Sequence, residues 1–280
     1  MALKTTTSAK AWAPDIQAFL PSEVIPDALI FQGATVVTQE LDGDGPLARI
    51  PWVDDASASF VAEGASIDES EPDLAEVLVA TGKIAQLIPV SNEQFFQDST
   101  AQRLSDSVRR AIMVKANQAF LSQVAPPTDT VTPPEGIITQ AEVAATNSIT
   151  KDLDPLAEVI GQLENNGAIP NLIVANPLAW SALRTLKAST DSNTSLLGAG
   201  TEDQGKRLLG VPVITSPAVP DGKLVIIDST AIAAAVGPVN IARSEHAYFS
   251  SDRIALRATW RIGWKVARKD RLATITVEPA

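Results

Sequence analysis

The chain has 280 residues, 45% of them hydrophobic, and carries a formal net charge of −11 with an isoelectric point near 4.6. This length supports one large domain or two ordinary ones. So acidic a surface repels nucleic-acid phosphates and anionic membranes, so DNA binding would be confined to a local patch. The absence of cysteine excludes disulfides, thiolate chemistry and most structural zinc sites. With no signal-peptide core and no membrane-length apolar run, we expect a soluble protein without a membrane partner.

Residues 1–33 predict an N-terminal arm rather than an independent domain. They combine Lys4 and Lys10 with Pro14 and Pro21, and they offer only scattered apolar anchors. Such a segment cannot build its own core, so we expect it to lie extended against another part of an assembly.

Residues 34–90 predict a long β-hairpin. Strands are expected at 34–41, 47–53 and 77–90. The intervening segment 54–76 contains no Lys or Arg and is too polar to fold alone, so it is either disordered or laid on a neighbour. Its acidic residues are Asp54, Asp55, Glu63, Asp68, Glu69, Glu71, Asp73 and Glu76.

A long helix is predicted at residues 99–123, before a proline-rich loop that ends it. Two S-x-x-Q capping boxes, starting at Ser91 and Ser99, precede it. Residues on one stripe of this helix are Leu104, Val108, Ala111, Ile112, Lys115, Ala116, Ala119 and Phe120.

Residues 140–238 predict a compact α/β unit. Short strands are expected at 172–175, 211–216 and 223–228. Asn176 and the proline after it are typical of the start of a helix.

The segment 253–267 alternates with period two, which predicts a long strand with one apolar and one cationic face. The apolar side carries Ile254, Leu256, Ala258, Trp260, Ile262, Trp264 and Val266, and the cationic side carries Arg253, Arg257, Arg261 and Lys265. Because the tryptophans share a face with Ile and Leu, core packing is favoured over a stacking platform for single-stranded nucleic acid.

The sequence patterns that could indicate a catalytic or binding site are weak matches. Residues 200–206, GTEDQGK, match a P-loop, but Arg207 replaces the Ser or Thr that holds magnesium and a strand pattern follows in place of a helix. His246 is the only histidine, so no triad or multi-histidine metal site can use two of them. Acidic pairs such as Glu69 and Glu71 have no apolar pocket to raise a pKa. We predict no catalytic, cofactor-binding or metal-binding residue, and therefore no enzyme.

The charges are segregated along the chain, acidic around 54–76 and basic around 243–271. The two segments can pair within one subunit or between subunits. We hypothesise head-to-tail pairing between subunits, which propagates into rings or shells. The acidic candidates for this contact are Asp54, Asp55, Glu63, Asp68, Glu69, Glu71 and Asp73, and the basic candidates are Arg103, Arg109, Arg110, Arg253, Arg257, Arg261 and Lys265.

Four segments follow one another in a suggestive order: the acidic loop at 50–99, then 171–187, 208–228 and 248–266. The loop ends in Ser91, Glu93, Asp98 and Ser99, and the last segment carries Phe249, Asp252 and Arg257 in an F-x-x-D-x-x-x-x-R spacing. Taken together, these segments resemble the major capsid proteins of tailed bacteriophages with the Hong Kong 97-type fold.

The resemblance implies an α+β fold with four parts. These are an N-terminal arm at 1–33, an extended β-hairpin loop at 34–90, a peripheral domain at 91–139 and 239–280, and an axial α/β domain at 140–238. The peripheral domain would contain a long spine helix at 99–123 and a long strand at 253–267.

The resemblance also implies a function: a structural major capsid protein that forms hexamers and pentamers of an icosahedral shell around double-stranded DNA, without sequence-specific binding. Its partners would be itself and a portal protein, with a separate scaffolding protein, protease or decoration protein as further candidates. It would reside in the virion after assembly in the host cytoplasm. Some members of this family cross-link through a lysine of the extended loop, but residues 41–82 contain none, so we expect no cross-link here.

Three alternatives stay open on sequence alone. One is an encapsulin-type nanocompartment shell protein of the same fold. Another is a soluble α/β enzyme or ligand-binding protein that uses residues 140–238. The third is a nucleic-acid-binding protein that uses the arginine face of the long strand.

Overall fold

Two β-sheets, each of six strands among the described residues, frame the fold, and helices pack against both. The computed structural model describes residues 16–19, 25–38, 47–54, 73–95, 100–127, 130–145, 147–187, 193–198 and 205–278. The α+β class predicted from the sequence is confirmed.

The first sheet contains the longest strands. They are β1 (Ile16–Phe19), β2 (Thr35–Thr38), β3 (Leu47–Asp54), β4 (Asp73–Ser91), β10 (Ile232–Tyr248) and β11 (Arg253–Val266). Their order is β1-β10-β11-β4-β3, all antiparallel, with β2 parallel to β10. Strand β11 lies between the long strands β10 and β4, which pair with its two edges, and its apolar face belongs to the same core as the long helix.

One face of the first sheet is covered by a long helix. The helices on this side are α1 (Leu29–Gly33), α2 (Asn92–Phe95), α3 (Thr100–Ser122) and α4 (Ile137–Gln140). On α3, the buried positions facing the sheet are Val108, Ile112, Ala116, Ala119 and Phe120. Two residues that the sequence placed on the same stripe, Ala111 and Lys115, are exposed, so the buried stripe is narrower than the predicted one.

The second sheet is built from shorter elements. They are β5 (Val143–Ala144), α5 (Asp154–Asn165), β6 (Leu172–Ala175), α6 (Pro177–Thr185), β7 (Arg207–Leu208), β8 (Val211–Thr215), β9 (Lys223–Ile227) and β12 (Leu272–Thr276), with strand order β5-β12-β9-β6-β8-β7. Strand β6 is buried on both faces: Val174 joins the core beneath α3, and Ile173 joins the core beneath α5 and α6. Asn176 caps α6, as predicted, by accepting a hydrogen bond from the Leu178 N–H at 2.8 Å.

A two-stranded antiparallel ribbon runs from one sheet into the other, with one gap in its pairing. The β9–β12 pairing runs as far as Ile227 and Leu272, and the β10–β11 pairing starts at Ile232 and Val266. In the gap each strand makes a 3₁₀ turn, at Ser229–Ala231 on one side and Lys269–Arg271 on the other.

Asp228 stands at this gap and is 1% exposed. Its carboxylate accepts hydrogen bonds from the Ile169 N–H at 3.0 Å and from the Thr230 N–H and hydroxyl at 3.0 and 2.6 Å. A guanidinium nitrogen of Arg271 lies 3.9 Å away. A buried carboxylate with these partners holds the two turns of the ribbon together.

Two pairings differ from the sequence-based division of the chain. Strand β12 lies in the segment 239–280, which the sequence grouped with the long helix, yet it pairs with β9 and β5 in the second sheet. Residues 81–90 lie in the segment predicted as the extended β-hairpin loop, yet they pair with β11 along the first sheet. Both differences arise from long-range strand pairing, which local patterns do not encode.

Candidate assembly interface

The cationic face of β11 is present as the sequence predicted. Arg253, Arg257 and Lys265 are exposed and Arg261 is half-buried. The neighbouring strand β4 adds to this face, because Lys83 lies directly opposite Arg261 and Leu87, 53% exposed, lies opposite Arg257. Like charges at directly opposite positions destabilise a sheet unless an anion lies near them.

The other face of β11 lies in the core, which confirms the packing role predicted for the tryptophans. Trp260 and Trp264 are 0% and 2% exposed, and their indole N–H groups donate to the carbonyls of Gly237 at 2.9 Å and Glu135 at 2.7 Å. The Phe120 ring of α3 meets the Trp264 ring edge-on, with centroids 5.4 Å apart. The buried indoles are not available to stack on bases.

The β3–β4 hairpin crosses the cationic side of the sheet. Pairing of β4 with β11 ends at Thr81 and Gly263, and pairing with β3 begins at Ala80. At the crossing the carbonyl oxygen of Ala80 lies only 2.3 Å from where a Cβ on Gly263 would stand. Beyond it, the hairpin forms a small core over β10 composed of Ile50, Val79, Ala233 and Ala235.

This crossing fixes the position of two predicted basic residues. Arg261 donates a hydrogen bond to the Thr81 hydroxyl of the hairpin at 3.2 Å, so it is engaged within its own subunit. Lys265 lies opposite Ala233, close to the small core. Arg253 and Arg257 lie farther along β11, where β4 runs beside it and does not cross it.

Two of the acidic candidates, Asp54 and Asp73, mark the tip of the described hairpin. The last pair of the β3–β4 ladder joins the backbones of Asp54 and Asp73. The other five predicted acidic residues, Asp55, Glu63, Asp68, Glu69 and Glu71, lie outside the described residues. Below the tip, Arg49 and Glu76 form an exposed ion pair at 3.2 Å.

The predicted basic residues form two surfaces on opposite sides of the first sheet. Arg103, Arg109 and Arg110 are exposed on α3, which packs against the tryptophan face. The β11 residues point to the other side, where the hairpin crosses. Sequence patterns could not separate these surfaces, and they missed Lys83 because its partner Arg261 is distant in sequence.

The described ranges contain part of the chemical patterns that the sequence suggested, namely Lys206, Arg207 and His246. No cluster of three or more His, Asp or Glu side chains there could hold a metal ion. The residues after the P-loop-like segment form strand β7, not a helix, and Lys206 donates to the Thr215 hydroxyl at 2.8 Å. His246 is exposed near the end of β10. No described helix is long and apolar enough to span a membrane.

A comparison with protein-family models matches the phage capsid family over residues 11–277. The chain belongs to the phage capsid family. It is therefore a structural capsid protein and a component of the bacteriophage virion. A search of curated proteins found no match.

The fold of this capsid protein is also similar to the folds of chains in solved phage and GTA particle structures. A chain of Microbacterium phage Oxtober96 is 16% identical, with a TM-score of 0.71 and coverage of 99% of this chain and 100% of that chain. A chain of Gordonia phage Cozz is 16% identical, with a TM-score of 0.68 and coverage of 90% and 87%. A chain of the capsid of an empty GTA particle computed with C5 symmetry is 19% identical, with a TM-score of 0.62 and coverage of 89% and 90%.

Proposed function

We propose that this capsid protein forms the hexamers and pentamers of an icosahedral shell with the Hong Kong 97-type arrangement, and that the shell encloses double-stranded DNA without reading its sequence. The subunits would join by laying the acidic hairpin tip of one copy on the exposed arginines of the next. A portal protein, a separate scaffolding protein, a protease and a decoration protein stay predictions, as does assembly in the host cytoplasm.

One observation carries the pairing between subunits: the distance between the hairpin tip and the arginines of the same chain. Strand β4 is continuous from Asp73 at the tip to Ser91, and Leu87 is the residue opposite Arg257. The 14 residue-to-residue steps from Asp73 to Leu87 span about 45 Å along the strand at the usual rise of a β-strand. The tip and Arg257 are therefore far apart within one subunit.

The acidic residues beyond the tip cannot close this distance. Residues 55–72 start and finish at the tip, so they reach back at most about nine residues, or about 30 Å. Arg257 and Arg253 lie beyond that reach. A second copy of the chain therefore supplies the acidic partner, and a head-to-tail contact of this kind propagates around a ring.

Electron cryomicroscopy of the purified protein, with nucleic-acid content measured by absorbance, tests the proposal. We expect closed icosahedral particles built from hexamers and pentamers, with DNA inside the filled ones. A subunit that stays monomeric or dimeric under every condition tried would refute shell assembly. Closed particles that enclose protein cargo and never DNA would identify a nanocompartment shell instead.

A further inference from the structure

The solvent face of α3 is basic in a chain that is acidic overall. The helix Thr100–Ser122 contains four basic residues and a single acidic one, Asp106, whereas the whole chain has a net charge of −11. The four basic residues, Arg103, Arg109, Arg110 and Lys115, are all exposed, and among the described residues no side chain forms an ion pair or hydrogen bond with theirs.

The basic residues follow the axis of the helix. Arg103 and Arg110 are seven residues apart and so lie on nearly one line, with Val114, 58% exposed, one further turn along. Arg109 and Lys115 lie about 120° round the helix from this line, one on each side, at the edges of the stripe that faces the sheet. From Arg103 to Lys115 the helix rises about 18 Å, over which B-form DNA carries roughly ten phosphate charges. A rod of phosphates running along this line would therefore meet Arg103 and Arg110, with Arg109 and Lys115 to either side.

The basic face of α3 and the proposed subunit contacts lie on opposite sides of the first sheet. The helix packs on the tryptophan face of β11, and the hairpin and the exposed β11 arginines lie on the other face. In a closed shell of equivalent subunits every copy turns the same side outward. If the hairpin contacts occupy one surface of the shell, α3 faces the other surface.

We propose that this basic face of α3 lines the interior of the shell and contacts the phosphate backbone of the packaged DNA. This inference rests on the proposed function. Few charges per subunit give a weak contact that salt weakens further, by a slope of about 0.9 per phosphate neutralised. Such a contact holds DNA against the wall without preventing entry or exit, and the remaining acidic surface repels it.

Two photoreactive variants test the placement in DNA-filled particles. Val114 on α3 and Leu87 on β4 are matched in exposure, at 58% and 53%, and lie on opposite sides of the sheet. Each would be replaced by the same diazirine amino acid, and the irradiated particles would be analysed for protein–DNA and protein–protein adducts. We expect DNA adducts from position 114 at several times the yield from position 87, and protein adducts from position 87.

Further outcomes separate the inference from the proposed function. Adding Arg103→Gln and Arg110→Gln should lower the DNA adducts at position 114 several-fold while the particles still form. If filled particles give DNA adducts at position 87 and only protein adducts at position 114, the helix faces an acidic protein and the inference fails, although the shell function stands. Particles that never contain DNA would overturn the proposed function itself.

Discussion

At the scale of single residues, Gly263 permits the hairpin to cross the sheet. A Cβ at this position would lie 2.3 Å from the carbonyl oxygen of Ala80, and that oxygen belongs to backbone that cannot move as a side chain can. We expect Gly263→Ala to lower the free energy of unfolding by about 3 kcal/mol, the upper range for overpacking. Urea unfolding of the dissociated subunit measures this change.

Gly161 provides the matched control, since it is exposed in the middle of α5 and nothing lies within 4 Å of its Cβ position. Gly161→Ala should raise the free energy of unfolding by up to ~1 kcal/mol, because alanine favours helix more than glycine does. Equal effects of the two substitutions would show that the crossing does not depend on glycine.

At the scale of elements, the gap between β9–β12 and β10–β11 is a joint held by one buried carboxylate. Asp228→Ala would remove the acceptor for the Ile169 N–H and for both donors of Thr230, and it would leave Arg271, whose side chain is 20% exposed, without its anion. We expect a loss of about 3 kcal/mol in unfolding free energy. Thermal and urea unfolding check this value.

Asp270→Asn is the control for the joint, because Asp270 is an exposed residue of the facing 3₁₀ turn. Its effect should stay within about 0.5 kcal/mol, as for most surface substitutions. A similarly small effect of Asp228→Ala would show that the joint is held by the backbone bonds of the ribbon alone.

Elements with a strong period were predictable from sequence, and their pairing was not. The long strand Arg253–Val266 and the helix Thr100–Ser122 were predicted within one residue at each end, since each has a long amphipathic pattern. The crossing at Gly263 and the pairing of Arg261 with Lys83 depend on strands about 180 residues apart. A glycine inside an otherwise regular strand was the one available signal of a close backbone approach.

At the scale of the whole molecule, the proposed pairing of the acidic hairpin with the arginines of a neighbouring subunit can be tested by reversing the acidic charges. Changing Glu69, Glu71 and Asp73 to Lys should leave the subunit folded and lower the yield of particles at least ~10-fold, because like charges across an interface cost several kcal/mol. Circular dichroism checks folding, and sedimentation counts particles. A control in which Glu158, Glu164 and Asp270 become Lys makes the same change in net charge at exposed positions away from the hairpin.

Reversing arginines on β11 should compensate for the lysine substitutions, and the structure indicates which arginines to change. Arg261 donates to Thr81 of its own subunit, so its reversal would disturb the fold. Arg253 and Arg257 are exposed, and the length of β4 separates them from their own acidic tip. Adding Arg253→Glu and Arg257→Glu to the lysine variant should therefore restore part of the assembly. Assembly can also be tested in a mixture of two proteins, one carrying only the lysine substitutions and the other only the two Arg→Glu substitutions. Restored assembly in this mixture would show directly that the charges meet between subunits. Normal particle yield from the lysine variant alone would contradict the pairing, and the shell would then depend on contacts elsewhere in the chain.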